Sequence, residues 1–147
     1  MDYDELYQEM IRDHYKHPRN KENLAGREDI PVLDNPSCGD TVQLGVLWSD
    51  DDKVEKVFFD GHGCSISMAS ASMLTEILEG QSAEEAQKTL DTFLAIFRGE
   101  QSSDDLEEMG DLMALKGVIG LPVRIKCATL AWHALEAALI RYREKQN

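Results

Sequence analysis

The stretch CGDTVQLGVLWSDDDKVEKVFFDGHGC, residues 38–64, decides the fold of this 147-residue chain. Apolar and polar residues alternate over 42–48, which predicts a half-buried strand, and 54–59 predicts a second, more apolar strand. The polar run between them predicts the turn of a β-hairpin. In an antiparallel pair, the start of the first strand lies beside the end of the second. We therefore expect Cys38 and Cys64 to meet at one edge of the sheet.

The chain before the hairpin predicts one helix and one short strand. Apolar residues recur at helical spacing over 3–16, and a His-Pro pair then stops the helix. Residues 20–29 are polar and irregular, and Ile30 with Val32 suggests a short strand. Together with the hairpin, this strand predicts a small antiparallel sheet of about three strands.

The chain after the hairpin predicts helices. One helix begins near Ser67, and Ser82 with Glu85 forms a capping box that opens the next. Residues 100–111 are acidic and are expected to be loop-like, and Pro122 suits the first turn of the last helix. The sequence thus predicts an α+β fold in which the sheet packs on several helices, as one domain over residues 1–147.

Three cysteines carry the chemistry of this chain, and none belongs to a Cys-x-x-Cys pair. Gly39 separates Cys38 from Asp40 and allows a tight backbone that points both side chains at one spot. Cys64 and Cys127 lie near predicted helix starts, where the helix dipole favours thiolate. Three thiolates and a carboxylate suit a tetrahedral zinc site or one corner of an iron–sulfur cluster. Buried cysteines that act as small apolar side chains are the alternative, and spacing leaves it open.

Composition narrows the classes of function. The net charge of −13 argues against a nucleic-acid-binding protein, because phosphate contacts need a basic surface. No stretch approaches the roughly 18 apolar residues of a membrane span. The acidic N-terminal residues lack the apolar run of a signal peptide. We therefore expect a cytoplasmic protein whose thiols stay reduced.

Three motifs together resemble the U-type iron–sulfur assembly proteins. They are Asn-Pro-x-Cys-Gly-Asp at 35–40, Gly-x-Gly-Cys-x-Ile-Ser-x-Ala-Ser at 61–70, and Pro-Val-Arg-Ile-Lys-Cys-Ala-x-Leu-x-Trp at 122–132. Each motif alone is a weak signal, but their order and distances are specific, and the resemblance extends from the N-terminal helix to Leu135.

Within this family the chain is more similar to the SufU branch than to the IscU scaffold branch. The scaffold branch has a histidine immediately before its last cysteine, where this chain has Lys126. The Leu-Pro-Pro-Val-Lys stretch of that branch is altered here at residues 120–124. The acidic segment over about 99–118 resembles the insertion typical of SufU.

The resemblance implies a zinc-bound sulfur carrier, sulfurtransferase-like in its activity. By similarity, Cys38, Asp40, Cys64 and Cys127 would hold zinc, and a SufS-type cysteine desulfurase would pass persulfide sulfur to Cys38. Downstream iron–sulfur assembly proteins would then receive that sulfur. A scaffold that assembles an iron–sulfur cluster on the same ligands is the main alternative.

The histidines are weaker candidates for metal ligands. His62 lies two residues before Cys64 but competes with four better candidates. His14 and His17 end the first predicted helix, where a positive charge suits the dipole, so we expect no ligand role for them. His133 is expected at the surface.

Overall fold

The computed structural model describes residues 3–35 and 39–146. Its elements are, in chain order, α1 (Tyr3–Lys16), β1 (Val32–Asn35), β2 (Asp40–Trp48), β3 (Val54–His62), α2 (Ser65–Leu78), α3 (Ala83–Phe97), a first 3₁₀ helix (Ser103–Glu108), a second 3₁₀ helix (Gly110–Gly120) and α4 (Pro122–Gln146). Across these residues, none of the helices is both long enough and apolar enough to cross a membrane.

The described strands form a three-stranded antiparallel sheet in the order β1-β2-β3, which confirms the predicted α+β class. The hairpin of β2 and β3 is longer than its apolar pattern suggested, because β3 continues to His62, which pairs with Thr41. On the other side of β2, Asn35 of β1 pairs with Asp40. The start of β2 and the end of β3 therefore share one edge of the sheet. Ile30, expected in the first strand, lies before it and is buried.

Helix α2 runs through the centre of the molecule and packs against α1, α4 and β3. Every side chain from Ser67 to Thr75 is buried, so this helix has no solvent-facing side over that length. Its Ser70 hydroxyl donates to the backbone oxygen of Ala128 (2.7 Å) and accepts from the indole N–H of Trp132 (3.1 Å). These two bonds join the middle of α2 to the first half of α4.

The acidic segment expected to be loop-like over 100–111 folds instead into the first 3₁₀ helix and the start of the second, so that prediction was wrong. Buried apolar residues stand at every third position from 106 to 118, which fits the three residues per turn of a 3₁₀ helix. The Lys116 ammonium donates to Asp104 (2.7 Å) and Glu107 (3.2 Å), which ties the two 3₁₀ helices together. The residues at these positions are Leu106, Met109, Leu112, Leu115 and Val118, and Ala114 is buried beside them.

The capping box of α3 is present as predicted. The Ser82 hydroxyl accepts from the backbone N–H of Glu85 (3.1 Å), and the Glu85 carboxylate accepts from the backbone N–H of Ser82 (3.1 Å). This backbone hydrogen bond lowers the pKa of the Glu85 carboxyl, so the group stays an ionised acceptor at neutral pH.

Replacing Ser82 by alanine removes the acceptor for the Glu85 N–H at the start of α3. We expect Ser82→Ala to lower the free energy of unfolding by about 1 kcal/mol, measured by urea titration followed by circular dichroism. Ser82→Thr keeps a hydroxyl acceptor and is the control, expected to lose clearly less. An equal loss in both variants would show that packing rather than capping sets the effect.

Candidate metal centre

Asp40 supplies a buried carboxylate at the shared edge of the sheet. It is the first residue of β2 and is 1% exposed. Gly39 before it has a φ of 74°, which agrees with the tight turn expected between Cys38 and Asp40. Oδ1 of Asp40 accepts from the backbone N–H of Cys64 at 3.0 Å. This hydrogen bond fixes the orientation of the carboxylate and leaves Oδ2 3.7 Å from the Cys64 sulfur.

Cys64 is the N-cap residue of α2 and is partly exposed. Its extended backbone (φ −70°, ψ 167°) lets the chain turn from β3 into the helix. The Ser67 hydroxyl donates to the backbone oxygen of Cys64 (3.1 Å) and lies 3.7 Å from its sulfur. The sulfur thus lies at a helix N-terminus, where the dipole stabilises negative charge, as the sequence predicted.

Cys127 approaches the same place from α4. It is 1% exposed and lies five residues after Pro122, so it is in the second turn of the helix rather than at its start. The helix-dipole argument made for this residue was therefore wrong, because that effect fades beyond the first turn. The adjacent Ala128 oxygen accepts from Ser70, which positions this part of α4 against α2.

The structure brings together three of the four residues predicted as ligands. One ligand atom from each of Asp40, Cys64 and Cys127 lies within 4.8 Å of the others. Zinc–sulfur bonds of about 2.3 Å in a tetrahedral site put sulfurs nearly 4 Å apart, so this spacing fits a zinc-sized ion. Two sulfurs and a carboxylate oxygen also suit that borderline-soft metal. Cys38 lies outside the described residues, so its part in the site stays a prediction.

Gly63 makes room for this arrangement, a role that the sequence analysis did not assign. A Cβ at this position would lie 2.3 Å from Oδ1 of Asp40 and 2.8 Å from the Ser67 hydroxyl oxygen. Both distances are far shorter than van der Waals contact. A glycine between β3 and Cys64 is therefore required for the Asp40 carboxylate to reach the Cys64 amide. The glycine and Ser67 are visible in the second motif, but their contacts depend on the fold.

Within the described part of the chain, no histidine belongs to this group of ligand atoms. His62, His133 and Lys126 are exposed. His14 is buried at 1% exposure, and both its ring nitrogens lie within hydrogen-bond distance of polar side chains. His14 lies in the last turn of α1, as the sequence predicted, and its imidazole in addition contacts side chains of α2 and of the second 3₁₀ helix.

The family model described as the NifU-like N-terminal domain matches residues 6–147. The chain belongs to this family. It is 45% identical over 138 residues to the zinc-dependent sulfurtransferase SufU of Bacillus subtilis, covering 94% of this chain and 92% of that protein. It is 42% identical over 142 residues to a protein of Streptococcus pyogenes named as the iron–sulfur cluster assembly scaffold IscU, covering 97% and 87%. The family model confirms the resemblance that the three motifs carry, and the likeness to the B. subtilis protein confirms the resemblance to the SufU branch.

Solved structures agree with this assignment. A crystal structure of a hypothetical protein is 42% identical with a TM-score of 0.80 and covers 92% of this chain and 98% of its own. A candidate iron–sulfur cluster assembly scaffold protein for the SUF system from Fervidobacterium islandicum is 34% identical with a TM-score of 0.73, covering 89% and 94%.

Adding one methyl group at Gly63 tests the packing around Asp40. We expect Gly63→Ala to displace the Asp40 carboxylate and weaken zinc binding by about 10- to 100-fold, the usual effect of disturbing groups that orient metal ligands. Competition with a chromophoric chelator measures this affinity.

Gly117→Ala is the matched control, because a Cβ there meets no atom within 4 Å. Zinc affinity equal to wild type in Gly63→Ala would show that the Asp40–Cys64 hydrogen bond is not needed to build the site.

Proposed function

We propose that this chain acts in iron–sulfur cluster assembly as a zinc-dependent acceptor of persulfide sulfur from a SufS-type cysteine desulfurase. The observation that carries the proposal is the convergence of Cys64, Cys127 and the buried Asp40 at one edge of the sheet. A third cysteine, Cys38, precedes that carboxylate by two residues. The likeness to the B. subtilis sulfurtransferase supports the same function.

We assign zinc to Cys38, Asp40, Cys64 and Cys127. Zinc bound there would keep the sulfurs as thiolates at neutral pH while remaining redox-inert. Cys127 and Asp40 are buried, so water and oxidants from solvent have little access to these two side chains. Cys64, partly exposed, marks the side from which a partner reaches the site.

Asp40 is the ligand best suited to exchange. A carboxylate binds a borderline-soft metal more weakly than a thiolate does. Its Oδ1 accepts from the Cys64 N–H, so the carboxylate would keep a hydrogen-bond partner and a defined position if it gave up its place as a zinc ligand. A donor side chain from a partner protein would therefore replace Asp40 as a ligand without leaving its carboxylate buried and unsatisfied.

The sulfur transfer is a thiol exchange at Cys38. The Cys38 thiolate attacks the outer sulfur of the desulfurase persulfide and forms a new S–S bond with it. The S–S bond within the desulfurase breaks, and its cysteine leaves as a thiolate. Electrons balance, because one persulfide replaces another and no external oxidant is needed. The Cys38 persulfide is then available to downstream assembly proteins.

A scaffold function is the second candidate, in which an iron–sulfur cluster is assembled on the same ligands. The S. pyogenes relative with the scaffold name is nearly as similar to this chain as the SufU protein is. The residue before Cys127 favours the sulfur acceptor, because Lys126 is exposed and a charged lysine offers no lone pair to a metal. The scaffold branch has histidine there.

Metal content distinguishes the two candidates. We expect protein purified without reconstitution to retain one tightly bound zinc per chain and to show no visible absorption, because three thiolates and a carboxylate complete a tetrahedral zinc shell. Elemental analysis and an absorption spectrum measure this. Stoichiometric iron with a brown chromophore that is lost in air would favour the scaffold instead.

Removing Cys38 tests the assignment of the sulfur acceptor. After incubation with a cysteine desulfurase and cysteine, mass spectrometry of wild type should locate a persulfide on Cys38. Cys38→Ala should abolish the added sulfur and the stimulation of desulfurase turnover. Asp40→Ala is the comparison variant: it should bind zinc less tightly than wild type but keep most of it through purification on its three thiolates, and it should accept sulfur poorly. Sulfur found on Cys64 or Cys127 in Cys38→Ala, with normal stimulation, would overturn the assignment.

A further inference from the structure

A second group of metal-ligating side chains surrounds His14, where three elements meet. The imidazole of α1 is 1% exposed, and its Nδ1 lies 2.8 Å from the Ser72 hydroxyl of α2. Its Nε2 lies 2.8 Å from Oδ2 of Asp111 in the second 3₁₀ helix and 3.7 Å from Oε1 of Glu76 in α2. One ring nitrogen thus faces two carboxylates.

The partner of Nδ1 leaves Nε2 available as a ligand. The Ser72 hydroxyl accepts from the backbone N–H of Arg19 at 2.8 Å and still has an acceptor lone pair and a donor proton. It can accept from a protonated Nδ1 or donate to a bare one, so both neutral tautomers of His14 are satisfied on that side. When Nδ1 holds the proton, the Nε2 lone pair points at the carboxylates. A cation between them then removes the repulsion between these three electron-rich atoms.

The spacing of the three atoms suits such a cation. One atom each from His14, Glu76 and Asp111 lies within 4.8 Å of the others. Zinc–nitrogen and zinc–oxygen bonds of about 2.0 to 2.1 Å in a tetrahedral site place ligand atoms roughly 3.3 Å apart. The distances of 2.8 and 3.7 Å from Nε2 lie on either side of that value. Small side-chain rotations therefore equalise them.

The exposure of the two carboxylates allows a metal ion to enter the cluster from solvent. The side chains of Glu76 and Asp111 are 48% and 49% exposed, so an ion can enter past them and water can complete its shell. The Arg19 guanidinium donates a hydrogen bond to Asp13 at 2.7 Å but lies 3.9 Å from the Glu76 carboxylate. Its ion pair with Glu76 is therefore the weaker of the two and does not prevent Glu76 from binding a cation. The Ser72 hydroxyl orients the imidazole from behind, as the outer partners of metal-bound histidines commonly do.

From these contacts we propose that His14, Glu76 and Asp111 form a second site for a divalent transition-metal ion. Zn²⁺ is the probe for this site in the experiment below. Imidazole with two carboxylates is a harder donor set than the cysteine centre, so its ion is held more weakly and is lost during purification. Glu76 lies twelve residues after Cys64, about 18 Å along α2, so the two sites are separate. A bound ion joins α1, α2 and the second 3₁₀ helix. The inference does not depend on the proposed sulfur transfer.

Metal titration of the folded protein tests the site. Wild type that retains the zinc bound during purification is titrated with Zn²⁺ in a calorimeter. A second sample, from which all metal has been removed, is titrated with Co²⁺ and followed by absorption. We expect one additional equivalent of Zn²⁺ and a rise in melting temperature, because an ion that binds the folded state stabilises it. Cobalt at the cysteine centre gives thiolate-to-metal absorption, whereas an equivalent bound at His14 adds none, so the two sites are counted separately.

The double variant Glu76→Gln/Asp111→Asn removes both carboxylates while keeping the side-chain sizes. It should bind the additional equivalent at least tenfold more weakly and lose the rise in melting temperature. The control Glu79→Gln/Glu108→Gln removes the same charge from two exposed positions and should behave as wild type. Asp111→Asn alone keeps an amide oxygen near His14 and should lie between them, which identifies a ligand effect even if the double variant is unstable.

Two results would overturn the site. In one, wild type binds no additional equivalent of Zn²⁺, which would mean that His14 only joins α1 to α2 and the second 3₁₀ helix through hydrogen bonds. In the other, the double variant and the control bind the additional ion equally, which would place that ion elsewhere on the acidic surface.

Discussion

The geometry of the cysteine centre depends on two hydrogen bonds made by the Ser70 hydroxyl. Buried between α2 and α4, it donates to the Ala128 backbone oxygen and accepts from the Trp132 indole. Ala128 follows Cys127, and Ser70 lies six residues after Cys64 on the same rigid helix. The two hydrogen bonds therefore fix the position of the first turns of α4 along α2. That position sets the distance between the sulfurs of Cys64 and Cys127. The Trp132 ring then stacks on Phe93 at 4.1 Å, which carries this alignment into α3.

The second constraint acts between the sheet and α2. The register of the hairpin places the start of β2 beside the end of β3, and Gly63 lets the Asp40 carboxylate reach the Cys64 amide. This bond does two things at once. It satisfies a backbone N–H at the start of α2 that has no partner within the helix, and it orients a buried carboxylate toward two sulfurs. Helix capping and site building thus use the same hydrogen bond.

Much of the fold was predictable because its signals are local. The alternation over 42–48 gave β2, and Ser82 with Glu85 gave the start of α3. The first 3₁₀ helix and the start of the second were missed, although buried apolar residues stand at every third position from Leu106 to Val118. Acidic residues between them obscured that period, and long 3₁₀ runs are uncommon. The extension of β3 to His62 was also missed, since Asp60 and Gly61 break the apolar pattern while their backbone still pairs with β2.

The sequence by itself determined the order of the elements, the α+β class and the family, because hairpin alternation, caps and the three cysteine motifs are properties of neighbouring residues. It also indicated Asp40, Cys64 and Cys127 as candidate ligands. Only the tertiary structure decided that these three converge, since this depends on the packing of α2 against α4. The same holds for His14, which ends an ordinary amphipathic helix in sequence. Its environment is built by Ser72, Glu76 and Asp111, which lie 58 to 97 residues away along the chain. Burial and long-range packing, which leave no local pattern, create that cluster.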